Sequence, residues 1–154
     1  EELGELSDIL KLLEMRLAIE AEMAGLAAAR RDQPDIDAMR AALRQMAEVS
    51  HDPAASALAD AQFHLAIAHA TKNAYFARFI DFLGVRLVPP RSMYLRDKPG
   101  EAHDEYVAKV RAEHDAILAA IVRMDITGAR EAARHHMTES LSRHSELSGD
   151  LPVG

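Results

Sequence analysis

The stretch Asp60-Ala61-Gln62-Phe63-His64-Leu65-Ala66-Ile67-Ala68-His69-Ala70-Thr71-Lys72-Asn73 decides how the chain is read. Asp52-Pro53, an N-cap followed by proline at the first helical position, opens the helix that carries it. At 100° per residue, Asp60, Phe63, His64, Ile67 and Thr71 fall within about 100° of arc, so a carboxylate and an imidazole share the face of the large apolar residues. A carboxylate on such a face is costly unless it is paired or binds a cation.

Working outward, proline and glycine fall between periodic stretches and divide the chain into helices. A first helix runs from about Ser7 to Arg31 with Ile9, Leu13, Leu17, Ala24 and Ala28 as its stripe, and Gln33-Pro34-Asp35 breaks it. A second carries Ile36, Met39, Leu43 and Met46 and stops near Ser50-His51, and the third is the one just described, ending near Thr71. Asn73 caps a fourth helix through Phe76, Phe79, Ile80, Leu83 and Leu87, ended by Pro89-Pro90, and Arg91 to Gly100 reads as a helical turn and a loop. A fifth helix spans about Glu101 to Met124 and a sixth about Thr127 to Leu147. The expectation is an all-α antiparallel bundle of six or seven helices, one domain over residues 1–147, with 148–154 as a frayed tail.

The composition agrees. The 154 residues have 49% hydrophobic and 5% aromatic content, no Cys and no Trp, and long Ala/Glu/Leu/Arg/Met stretches suited to helices. A net charge of -7 argues against a nucleic-acid-binding surface, which needs Lys and Arg in excess on one face. With no Cys there is neither a disulfide framework nor a thiolate metal site. No apolar run approaches the roughly 20 residues that span a bilayer, and no positive-then-apolar leader occurs, so the expectation is a cytoplasmic domain with no membrane partner. A start at Glu1 reads as a piece of a longer protein.

Histidine numbers 8, a surplus for this length. His114 stands on the stripe Val107, Val110, Ile117, Ile121, where Leu is expected, and His136 does the same among Ile126, Ala129, Ala133 and Ser140. Three helices thus turn an imidazole inward, one with a carboxylate a turn away. Three imidazoles and a carboxylate suit Zn²⁺, Ni²⁺ or another late divalent ion. The alternative is that each is a hydrogen-bonded core histidine. His135 rivals His136, and His51, His69, His103 and His144 read as loop or solvent-face residues.

Met15-Arg16-Leu17-Ala18-Ile19-Glu20 with Leu26-Ala27-Ala28-Ala29-Arg30 resembles the opening helix of the FCD domain, the effector-binding domain of FadR-type regulators in the GntR family. Asp60-Ala61-Gln62-Phe63-His64 with Ala70-Thr71-Lys72-Asn73 is similar to that family's D-x-x-F-H and A-[ST]-x-N segments. Glu113-His114, Ile117, Ala120-Ile121, Asp125, Ala129 and His136 resemble its E-H-x-x-I-x-x-A-I and D-x-x-x-A-x-x-x-x-x-x-H segments, in the family's order. The resemblance implies a metal site of Asp60, His64, His114 and His136, with His136 chosen over His135. It also implies a small carboxylate effector held in a cavity above the metal, and a winged-helix DNA-binding domain that would precede this segment and is absent from the chain.

Donors for such an anion are sought in Arg16, Asn73, Arg86 and Arg91. Arg16 suits a bidentate pair with a carboxylate, though an i,i+4 bridge to Glu20 competes. Asn73 serves equally as an N-cap, Arg86 and Arg91 as solvated charge beside Pro89-Pro90, and Tyr94 and Tyr106 offer hydroxyls. DNA would be reached only through the absent domain, and alanine-rich outer faces suit a homodimer. The competing reading is a metal-dependent enzyme built in a bundle. The chain lacks H-E-x-x-H, G-x-S-x-G, a P-loop and the two E-x-x-H motifs of a di-iron bundle, and offers no general base apart from the metal ligands.

Overall fold

The computed structural model describes residues 2–84 and 100–150. Among them are six helices and no strand: α1 (Glu2–Arg30), α2 (Gln33–Glu48), α3 (Pro53–Ala70), α4 (Ala74–Leu83), α5 (Gly100–Val122) and α6 (Ile126–Asp150). The expected all-α bundle is the observed one. No helix among the described residues is long and apolar enough to cross a membrane.

Local chemistry sets the boundaries. Asp32 caps α2 in a reciprocal box, accepting from Asp35 N–H at 3.0 Å while Asp35 accepts from Asp32 N–H at 2.9 Å. Asp52 caps α3 by accepting from Ala55 N–H at 3.1 Å, with Pro53 at the first helical position. Asp125 caps α6 by accepting from Gly128 N–H at 2.9 Å. Three boundaries differ from the sequence expectation. α1 already runs at Glu2, α4 closes at Leu83 against Gly84 with φ of 52°, and α6 continues to Asp150 into the stretch read as a tail.

α1 lies along α6, α2 along α3 and α5 along α6; α1 also touches α3 and α5, and α4 leans on α3. Small side chains let the backbones approach: Ala24, Ala27 and Ala28 of α1 and Ala129 and Ala133 of α6 all belong to the core. Met23, Met39, Phe63, Ile117 and Ile121 fill the space between them. Two arginines at the end of α1 tie the far ends of its neighbours. Arg30 donates to Thr71 O at 2.9 Å, and Arg31 donates to Ile121 O at 3.3 Å and to Val122 O. A cation there meets the partial negative charge of a helix C-terminus. This closure brings the polar segments of α1, α3, α5 and α6 together in the interior.

Candidate metal centre

α3 contributes Asp60 and His64, one turn apart and both buried, while α5 contributes His114 and α6 contributes His136. One nitrogen from each of His64, His114 and His136 lies within 4.8 Å of the others, the spacing of groups that could share an ion. Asp60 Oδ1 stands 3.1 Å from His64 Nε2 and 3.3 Å from His114 Nε2. Despite these distances, Asp60 Oδ1 and both His114 nitrogens are buried without a hydrogen bond among the described residues. Buried polar atoms are almost always satisfied. Donor atoms that converge without bonding one another fit a cation placed among them. A nitrogen-and-oxygen set of this kind suits a late divalent ion, so the residues present fit the implied metal.

Two further carboxylates surround these four residues. Glu20 of α1 accepts a hydrogen bond from His64 Nδ1–H and is itself held by Arg16 Nε at 2.5 Å. Glu113 of α5 accepts from His136 Nδ1–H at 2.6 Å, and Arg143 spans both its oxygens at 2.9 and 3.0 Å. Burial would raise the Glu20 carboxyl, but Arg16 and His64 hold it well below the usual carboxylate range. Burial would also raise Asp60, and His114 and His64 hold it well below that range. For Glu113 burial again opposes, and the bonds from His136 and Arg143 bring it to about 2. Burial lowers both imidazoles; Glu20 and Asp60 outweigh it at His64, raising it to about 9, whereas His136 falls to about 4 despite Glu113. The charge pattern is therefore built around ionised carboxylates.

Arg16, Tyr106, Ser140, Arg143 and His144 line a narrow cleft of about 20 Å³ together with Asp60, His64 and His136. A larger cavity of about 620 Å³ between α2, α3 and α5 also reaches His114, with Arg40, Arg44 and Arg111 in its wall. Of the effector residues expected from sequence, Arg16 is in the cleft wall and buried, and its Nε makes the competing i,i+4 bridge to Glu20. Tyr106 is in the wall as well. Asn73 is exposed and caps α4, accepting from Tyr75 N–H at 3.1 Å. Arg86, Arg91 and Tyr94 lie outside the described residues. His135 is exposed where His136 is buried.

His144 corrects the sequence reading. Expected on a solvent face, it is 2% exposed, and its Nδ1–H donates to Ser140 O at 2.7 Å. The i,i+4 step from Ser140 was the available signal. Glu20, Glu113 and Arg143 are the other site residues that periodicity missed.

Residues 11–139 match the family model described as FCD domain, and the chain belongs to that family. The HTH-type transcriptional regulator LutR of Bacillus subtilis strain 168 is 28% identical over 135 residues, covering 85% of this chain and 59% of that protein. The putative L-lactate dehydrogenase operon regulatory protein of Escherichia coli K12 is 31% identical over 151 residues, covering 89% of this chain and 55% of that protein. The Uxu operon transcriptional regulator of the same strain is 32% identical over 143 residues, covering 90% and 54%. The chain thus spans little more than half the length of these curated relatives. Among solved structures, E. coli McbR/YncC superposes with a TM-score of 0.70 at 19% identity, covering 93% of this chain and 65% of that one, and so shares the fold.

Proposed function

We propose that the chain is the sensing domain of a GntR-type transcriptional regulator, holding one divalent ion, Zn²⁺ or Ni²⁺, through Asp60, His64, His114 and His136. The observation that carries the metal is the convergence of Asp60 Oδ1 with the buried, unbonded His114 ring. When bound, the ion would supply a Lewis acid beside the cleft, able to take a carboxylate or hydroxyl oxygen.

Charge balance supports an anionic effector. Glu20, Asp60 and Glu113 against Arg16 and Arg143 leave one negative charge if the imidazoles are neutral. A divalent ion turns this into one positive charge, which a small monocarboxylate would neutralise in a poorly solvated cleft. Arg16 and Arg143 present guanidinium to the same cleft, and donors of that geometry match a carboxylate. A relative named for an L-lactate dehydrogenase operon is in keeping with a small organic acid.

The output belongs to the longer protein: a preceding winged-helix domain binds DNA in the cytoplasm, as a homodimer, and the effector shifts that binding by favouring one arrangement of the bundle. Relatives named as regulators favour this reading over a metal-dependent enzyme. The test is metal analysis of the purified chain with calorimetric titration of small carboxylates. One equivalent of metal, lost in His64→Ala and His114→Ala together with carboxylate binding, is the expected result. Metal-free protein whose stability and carboxylate binding are indifferent to both substitutions would end the proposal.

A further inference from the structure

A neutral imidazole carries its proton on one nitrogen and its lone pair on the other, and whatever bonds the first decides which atom can meet a metal. His64 and His136 are both fixed in this respect. Each gives its Nδ1–H to a buried glutamate, Glu20 and Glu113 respectively, which leaves Nε2 as the nitrogen available to an ion. His114 differs: its Nδ1 is buried with no hydrogen bond among the described residues.

Neither glutamate is a loose surface group. Glu20 is 3% exposed and held through its other oxygen by Arg16 Nε at 2.5 Å, with the guanidinium and carboxylate one turn apart on α1. Glu113 is 7% exposed and gripped at both oxygens by Arg143 of α6. Two chains of the same order, Arg16–Glu20–His64 and Arg143–Glu113–His136, therefore reach the centre from different helices. Both begin at an arginine in the wall of the cleft.

We infer that Glu20 and Glu113 are positioning residues of the metal centre. They lock His64 and His136 in the tautomer that turns Nε2 to the ion and strengthen those nitrogens as donors, while Arg16 and Arg143 fix the orientation of each carboxylate. A partner of this kind on the outer nitrogen typically sets metal affinity within a factor of about 10–100. This inference rests on the metal reading above.

The test is cobalt(II) titration of the whole chain, with affinity measured by competition against a chelator and coordination followed by visible absorption. Glu20→Gln and Glu113→Gln keep the shape and an acceptor oxygen but remove the charge. Each is expected to weaken cobalt binding about 10- to 100-fold and to shift the visible bands. Glu22→Gln, an exposed glutamate on α1, serves as the control and leaves both readouts unchanged. Because each substitution strands an arginine, the pairs Arg16→Met with Glu20→Gln and Arg143→Met with Glu113→Gln are measured too, and melts in chelator establish that they fold. Wild-type protein that takes up no cobalt overturns the metal reading itself. Wild-type protein that binds it, with the single and paired variants equal in affinity and spectrum, overturns the positioning role alone.

Discussion

Asp60 Oδ1 lies 3.3 Å from Nε2 of His114, and both atoms are buried with no hydrogen bond between them. Two polar atoms left in this state burden the fold, since an unsatisfied buried group costs about 1–3 kcal/mol. An ion between them would remove that burden, so the proposed metal should stabilise the bundle. At free metal about 1,000 times Kd, binding to the folded state contributes about 4 kcal/mol. For a chain of this size that corresponds to about 8–16 °C in Tm. Scanning calorimetry with and without chelator checks it, and a melt unmoved by chelator in protein shown to carry metal would contradict the expectation.

Asp60→Asn separates charge from shape at the same position. The amide keeps the volume but gives up the anionic ligand, so metal retention through dialysis is expected to fall while the metal-free protein melts within a few degrees of wild type. Full occupancy after dialysis would show that the three imidazoles suffice without the carboxylate.

The metal-free domain should have a two-sided pH profile. His64, raised from 6.5 to about 9 against the opposing effect of burial by Glu20 and Asp60, contributes stability that is complete below pH 6.5 and is lost as pH rises through 9. His136, lowered from 6.5 to about 4 chiefly by burial, is favoured neutral; its contribution is present above pH 6.5 and is lost as pH falls through 4. Glu113, brought from 4.5 to about 2, extends the acid loss below pH 4.5. Stability should therefore peak near pH 6.5. With metal bound, His64 is a neutral ligand with no proton to lose, so the decline between pH 6.5 and 9 disappears, and the acid decline steepens as protons displace the ion. Urea midpoints across pH 4–9, with and without zinc, measure both limbs. An alkaline limb that persists with metal bound would be inconsistent with ligation by His64.

The sequence carried more of the fold than of the site. Caps at Asp52 and Asn73 and the breaks at Pro34 and Pro53 are local signals, and they place most helix ends within a few residues. His64, His114 and His136 were legible because an imidazole on an apolar stripe breaks a one-dimensional pattern. Glu20 and Arg16 were harder to place. An oppositely charged i,i+4 pair on a helix is ordinarily a solvated one, and only the packing of α1 against α3 and α6 shows that both are buried. Glu113 is adjacent to His114 and so about 100° away around the helix, on a face that periodicity assigns to solvent until α6 supplies Arg143. Burial that one helix confers on another leaves no trace in the spacing of either.

Two helical glycines should respond differently to alanine. A Cβ at Gly128 would run into the Asp125 carboxylate, which caps α6 through Gly128 N–H at 2.9 Å. Gly128→Ala therefore displaces the cap, and a loss of about 1 kcal/mol is expected despite better helix propensity. A Cβ at Gly25 would meet the Arg130 side chain at 2.9 Å, a long flexible chain on the half-exposed side of α6 that can move aside, so Gly25→Ala should be at least as stable as wild type, by up to about 1 kcal/mol from helix propensity. Paired urea titrations decide this, and equal midpoints for the two variants would contradict the assignment of Asp125 as the cap.

Arg31 offers a test of how α1 and α5 are held in register beside the candidate metal centre. Its guanidinium, at the end of α1, donates to the carbonyls of Ile121 and Val122 in the last turn of α5. α1 carries Glu20 and α5 carries His114, so this clamp fixes the far ends of two helices that meet at the centre. Arg31→Met keeps the aliphatic stem but removes both hydrogen bonds and the cation facing the helix terminus. Hydrogen bonds to charged groups contribute about 1.5–3 kcal/mol, and a loss of that size is expected in urea unfolding. Metal affinity should change less than twofold, because Arg31 touches none of the four proposed ligands and the α1–α6 alanine seam remains intact. A tenfold loss of metal affinity with unchanged unfolding would mean that the clamp acts on the centre and contributes little to the fold.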